Sequence, residues 1–187
     1  MTRLRALPFW ITAGLIVVTA CILLWMGRVP ICDCGYVKLW HGESLSGENS
    51  QHLMDWYTPS HLLHGILFYA ALWFAARWIS VGWRLVGATA LECAWEIVEN
   101  TERVIEHYRY TTVSADYFGD SVINSTADIL VMIVGFGIAL RVPIWVSVVT
   151  VIGFEVLTGF IIRDGLTLNI VMFLYPSETL KAWQEAM

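Results

Sequence analysis

The stretch VGWRLVGATALECAWEIVEN, residues 81–100, decides how this chain folds. At about 1.5 Å per helical residue it is long enough to cross a hydrocarbon core of roughly 30 Å. It is largely apolar, yet it carries Glu92, Glu96 and Glu99 at i, i+4 and i+7. On a helix that spacing makes one stripe on one face. Carboxylates facing lipid are costly, so the stripe has to face other helices, water or a cation. The segment therefore predicts a helical bundle with a polar seam. Counted from Arg84 at one end, Glu92 lies roughly 12 Å deep and Glu99 roughly 22 Å deep. A helix continuing to about His107 would add Arg103 to the stripe.

Worked outward from this segment, the chain reads as all-α, a polytopic membrane bundle. Further apolar runs cover residues 7–26, 59–78, 121–140 and 143–162, giving five spans in all. A sixth run, 166–174, is too short for a full crossing and reads as re-entrant, interfacial or a partial span. Thr58 before Pro59 predicts the N-cap of the second span, and Ser177 that of an amphipathic terminal helix over 177–187, with Trp183 at the interface. Composition agrees with one integral membrane domain over residues 1–187: 57% of residues are hydrophobic and 14% charged, against about 25% charged in soluble domains. The N-terminus imitates a secretion signal, with Arg3 and Arg5 before an uncharged run and a lipoprotein-like Val18-Thr19-Ala20-Cys21 box. The run continues through Met26, which favours an uncleaved anchor.

Arg3, Arg5, Arg77, Arg84 and Arg141 fall on one side if the spans alternate, and that side should be cytoplasmic, with the N-terminus. The loops 28–57 and 100–119 then lie outside. Cys21 and Cys93 read as packing residues within spans. Cys32 and Cys34 read as two loop thiols, because a bridge between residues two apart is strained.

Threaded this way, several ionisable groups converge on the outer half of the bundle. His61 and His64 open the second span, Asp120, Asn124 and Asp128 recur every four residues on the fourth, and Glu155 sits in the fifth. The candidate catalytic residues are His61, His64, Glu96, Glu99, Asp120 and Asp128. Like charges in a low-dielectric site must be protonated, matched by Arg103 or Arg163, or bound to metal. His61-x-x-His64 has ligand spacing, and with Glu99 and Asp128 it makes a candidate N/O site for a divalent metal such as zinc, iron or manganese. The competing reading is hydrogen-bonded glue between helices. His41, His52 and His107 read as ordinary loop residues, and Asn124, Ser125 and Thr126 as packing polars. The sequence has no Gly-x-Ser-x-Gly elbow, no phosphate-binding glycine loop and no His-Glu-x-x-His. No basic patch points to nucleic acid.

The stretches Cys34-Gly35-Tyr36-Val37-Lys38-Leu39-Trp40-His41-Gly42, Asp55-Trp56-Tyr57-Thr58-Pro59-Ser60-His61 and Arg163-Asp164-Gly165-Leu166-Thr167-Leu168-Asn169 resemble an uncharacterised family of multi-pass bacterial inner-membrane proteins of about this length. The resemblance implies a plasma-membrane location and no established activity. A fainter likeness is to VanZ-like membrane proteins, carried by His61 or His64, Glu96 or Glu99, and Asp120-x-x-x-Asn124. The glycine of that pattern is absent after Asn124. This likeness implies handling of a lipid or cell-envelope molecule. The expected partners are therefore the lipid bilayer and a lipid-type ligand. The alternatives are an ion- or proton-coupled carrier and an accessory subunit with a membrane-protein partner.

Overall fold

Eight helices and no strand make up the described part of the chain in a computed structural model, which covers residues 2–186, with side chains from residue 6 onward. The expectations that Met1 is cytoplasmic and that the last helix reaches Met187 lie outside those residues. The helices are α1 (Thr2–Trp25), α2 (Thr58–Ala76), α3 (Val81–Glu99), α4 (Glu102–Thr111), α5 (Val122–Arg141), α6 (Ile144–Ile161), α7 (Leu166–Leu174) and α8 (Glu178–Glu185).

Only three of them are long and apolar enough to cross a membrane by length and composition: the stretch Ala6–Trp25 of α1, then α5 and α6. That corrects the expectation of five spans and a partial sixth. α2 and α3 are 19 residues each. His61 and His64 in α2, and Arg84, Glu92, Glu96 and Glu99 in α3, make these helices less apolar on average.

The tightest contact in the bundle joins α2 to α5. A Cβ on Gly65 would strike the carbonyl of Met132, and one on Gly135 would strike that of Leu62. Small residues at such a crossing let backbones meet, which is how helices associate where lipid supplies no hydrophobic drive. Toward one end of this pair, the rings of Tyr69 and Phe136 meet edge to face at 5.2 Å. Toward the other, His61 faces Asp128. The two helices therefore run parallel. α3 runs against them, with Glu92 beside His61 and Arg84 over the Tyr69 ring.

α3 does not continue to His107. It stops at Glu99, and α4 starts afresh at Glu102. The cause is Asn100, whose amide nitrogen donates to the Glu96 carbonyl and to Asp120, while its oxygen accepts from the Asp120 N–H. A short polar side chain bonded in this way competes with the helical ladder. Arg103 is consequently exposed on α4 and leaves the stripe.

The long loop after α1 folds over one end of the bundle. Gln51 donates to the Gly119 carbonyl, Ser121 to the Gln51 carbonyl and Asn124 to the His52 carbonyl. Asn124 thus fastens the loop and does not enter the polar seam. Cys32 and Cys34 form a disulfide, which corrects their reading as free loop thiols. Cys93 is buried and Cys21 exposed. His41 and His52, read as ordinary loop residues, are buried at 3% and 0% exposure. The N-cap of α2 is Tyr57 rather than Thr58, whose hydroxyl accepts from the Asp55 N–H. Ser177 does cap α8, accepting from the Leu180 N–H, and half-exposed Trp183 lies under Arg163.

Candidate functional site

Glu92 is the anchor of the polar seam. It is completely buried, and it accepts from Nδ1 of His61 at 2.7 Å and from Nδ1 of His64 at 3.0 Å. One turn separates the two histidines on α2, so one carboxylate from α3 reaches both. In a neutral imidazole this arrangement fixes the proton on Nδ1 and leaves the Nε2 lone pair free. Nε2 of His61 turns toward Asp128 Oδ2 at 3.7 Å, and Nδ1 also lies 3.5 Å from Glu96 Oε1.

Glu96 lies at the meeting point of α2, α3 and α5. It is fully buried, and neither carboxylate oxygen has a hydrogen-bond partner; Oδ1 of Asp128 is likewise unpartnered. Buried polar groups in native proteins are overwhelmingly satisfied, so each of these atoms calls for a partner. Ligand atoms of His61, Glu96 and Asp128 lie within 4.8 Å of one another, as do those of His61, His64 and Glu92, and those of Glu96, Glu99 and Asp120. These groups could hold a metal ion. The expected set of His61, His64, Glu99 and Asp128 is thus spread over three clusters. Glu96 joins two of them, and Glu92 joins the third as the partner of both histidines. The stripe spacing already placed Glu92 on the right face, but its proximity to α2 depends on the packing of α2 on α3.

Asp120 sits just before α5 and is held on both oxygens. Oδ2 accepts from Asn100 at 2.8 Å, and Oδ1 from the Tyr117 hydroxyl at 3.0 Å. Burial raises its pKa above the ordinary carboxylate range, and these two bonds pull it back in part. No Lys or Arg among the described residues forms an ion pair with any carboxylate of the seam. The expected matching by Arg103 or Arg163 therefore does not occur.

Glu155 does not join the seam, contrary to the expected convergence. Its two oxygens accept from the Leu166 and Thr167 N–H groups at 3.0 and 2.9 Å. It caps the N-terminus of α7, where unpaired donors and the helix dipole favour a carboxylate. α7 is tied to the bundle by Tyr108, whose hydroxyl donates to Asn169, and by His107, which donates to the Phe173 carbonyl. Tyr57 donates to Asp164 just before it. Burial pushes the Asp164 carboxyl up to about 6, against the bonds from Gly165 and Tyr57.

Between α2, α3, α4 and α7 lies a cavity of about 430 Å³. One side is polar, with His61, His64, Glu99, Asp120 and Asp128. The more exposed part is apolar, with Leu91, Trp95, Val98 and Ile170, while Phe68 stacks on the His64 ring at 5.5 Å. Leu91, Val98 and Ile170 are each about half exposed, so the apolar side opens on the flank of the bundle. The tyrosines Tyr57, Tyr108 and Tyr117 also line the cavity. Nothing in the sequence marked them, because each arrives from a loop or from the helix that follows the break at Asn100.

A second polar cluster lies under the long loop. Nε2 of His52 bonds Glu48 at 3.1 Å, its Nδ1 accepts from the Lys38 N–H, and Lys38 Nζ meets Glu48 at 2.8 Å. These bonds, that of Lys38 foremost, hold the Glu48 carboxyl down to about 2. Atoms of His41, Glu48 and His52 are close enough for a metal, as are those of Cys32, Cys34 and His52, but both ring nitrogens of His52 are already engaged.

Residues 23–186 match the family model described as protein of unknown function (DUF2585), and the chain belongs to that family. A UPF0314 protein of Paracoccus denitrificans is 58% identical over 183 residues, spanning 98% of this chain and 95% of that protein. UPF0314 proteins of Sinorhizobium fredii and Rhizobium etli are 51% and 48% identical, over 99% and 97% of this chain and 95% and 94% of theirs. The matches do not extend the likeness to VanZ-like proteins. No solved structure matches.

Proposed function

We propose that this DUF2585 protein resides in the bacterial inner membrane and binds an amphiphile from the outer leaflet, head group inward and tail toward lipid. The observation that carries this is the two-sided cavity: carboxylates and imidazoles at one wall, and half-exposed Leu91, Val98 and Ile170 at the other. A pocket for a soluble molecule has no need of an apolar mouth on a bundle flank. In this reading α2 and α3, 19 residues each, cross the membrane with α1, α5 and α6, since α2 packs on α5 and α3 on α1 and α5. Arg77, Arg84 and Arg141 then mark the cytoplasmic end, and the long loop is periplasmic.

Within the same reading, a divalent cation sits between His61, Glu96 and Asp128. One imidazole and two carboxylates suit zinc, iron or manganese. Glu92 on the far nitrogen of His61 is the outer carboxylate that such a ligand histidine usually has. The unpartnered oxygens of Glu96 are what a cation would satisfy.

Native mass spectrometry and elemental analysis of protein purified in mild detergent test both parts. Wild type should retain a lipid, and Ala94→Trp, at an exposed position of the cavity lining beside Trp95, should lose it by filling the mouth. Metal should approach one per chain and vanish in Glu96→Gln. Equal lipid retention by wild type and Ala94→Trp overturns the amphiphile, and equal metal content in wild type and Glu96→Gln overturns the metal.

A further inference from the structure

We infer that the head group taken by this cavity carries an alkylammonium, held between Glu99 and Asp120 against the rings of Tyr108 and Tyr117. The inference rests on the amphiphile reading above and not on the metal. Its first ground is charge. Glu99, Asp120 and Asp128 line the cavity, and among the described residues no Lys or Arg does. Glu99 is half-buried at the cavity wall, and Asp128, 5% exposed, leaves Oδ1 unpartnered. Such a wall repels an anionic head group. A neutral one would leave Glu99 without a counter-charge, whereas Asp120 is already bonded on both oxygens by Asn100 and Tyr117.

The second ground is the aromatic lining. Tyr108 and Tyr117 meet at 5.8 Å and 87°, so one ring presents its edge and the other keeps a face. Their hydroxyls are tied to Asn169 and Asp120, which holds the two rings in place on the cavity wall, with Tyr108 packed also on Phe173 at 5.6 Å. Trp95 adds a third ring on the apolar side. Carboxylates beside aromatic rings are the chemistry that recognises alkylated or free ammonium groups. The cavity volume of about 430 Å³ is within the usual range for a small ligand, and its apolar side would take the first part of the tail.

The test uses the full chain in a non-ionic maltoside detergent. Two probes with the same twelve-carbon tail, dodecyltrimethylammonium and dodecyl phosphate, are titrated by isothermal calorimetry. The ammonium probe should bind about tenfold more tightly or better, and Glu99→Gln should cut its affinity about fivefold or more while leaving the phosphate probe no weaker. Thermal unfolding of the variant serves as the check on folding. The selectivity of the wild type decides the matter even if the variant fails to fold. Equal or tighter binding of the phosphate overturns the ammonium and leaves the amphiphile standing. Binding of neither probe overturns both.

Discussion

The loop-bearing end of the bundle and its far end are held by different physics. Away from the loop, α2 and α5 touch backbone to backbone at Gly65 and Gly135, one turn beyond His61 and two beyond Asp128, and further on Tyr69 meets Phe136 with Arg84 above Tyr69. Toward the loop-bearing end the contacts are made by polar side chains: His61 and His64 on Glu92, and Asp120 on Asn100, with the oxygens of Glu96 unpaired. Close backbone approach leaves no room for a ligand, whereas buried charged side chains demand that their charges be met. The glycine crossing reads as the clamp and the loop-bearing end as the site.

Breaking the clamp should have the largest effect. Gly65→Ala puts a methyl into the Met132 carbonyl and should cost about 3 kcal/mol, seen as lost monodisperse protein on size exclusion. Retention of wild-type stability there would mean that the glycine contact does not hold α2 to α5. Next comes Glu92→Ala, which strips two buried imidazoles of their partner and should cost about 2 kcal/mol in thermal or denaturant unfolding. Glu92→Gln should be milder, because it keeps an acceptor.

A smaller, pH-dependent effect belongs to Asp164, whose carboxyl is raised to about 6 by burial. The folded state binds this proton more tightly than the unfolded chain does. Stability from this group is therefore gained as pH falls through about 6 toward the ordinary carboxylate value, and lost as pH rises. Melting temperature should rise from pH 7.5 to pH 5 in wild type, and less so in Asp164→Asn. The smallest effect is Glu102→Ala. Its ion pair with Arg28 at 2.6 Å is largely exposed on the Glu102 side, so the change should stay under about 1 kcal/mol.

The helices were legible in the sequence because a helix satisfies its own backbone and a long apolar run marks it, as α1, α5 and α6 show. The stripe of Glu92, Glu96 and Glu99 was legible for the same local reason: helical spacing fixes a face. Span counting was less secure for α2 and α3, since the side chains that form the site lower the apolarity by which spans are recognised. The end of α3 was missed because Asn100 breaks it through Asp120, twenty residues away.

By itself, then, the sequence determined an all-helical chain and the helix face on which each acid of the stripe lies. Only the tertiary structure decided which acid meets which partner. Glu155 has the same intramembrane look as Asp128, yet it caps α7 while Asp128 faces His61. The physical reason is that helical periodicity sets direction within one helix, whereas the crossing of α2 on α5 at Gly65 and Gly135 sets the distances between helices. The tyrosines of the cavity depend further on loops and on the break at Asn100, which no periodicity encodes.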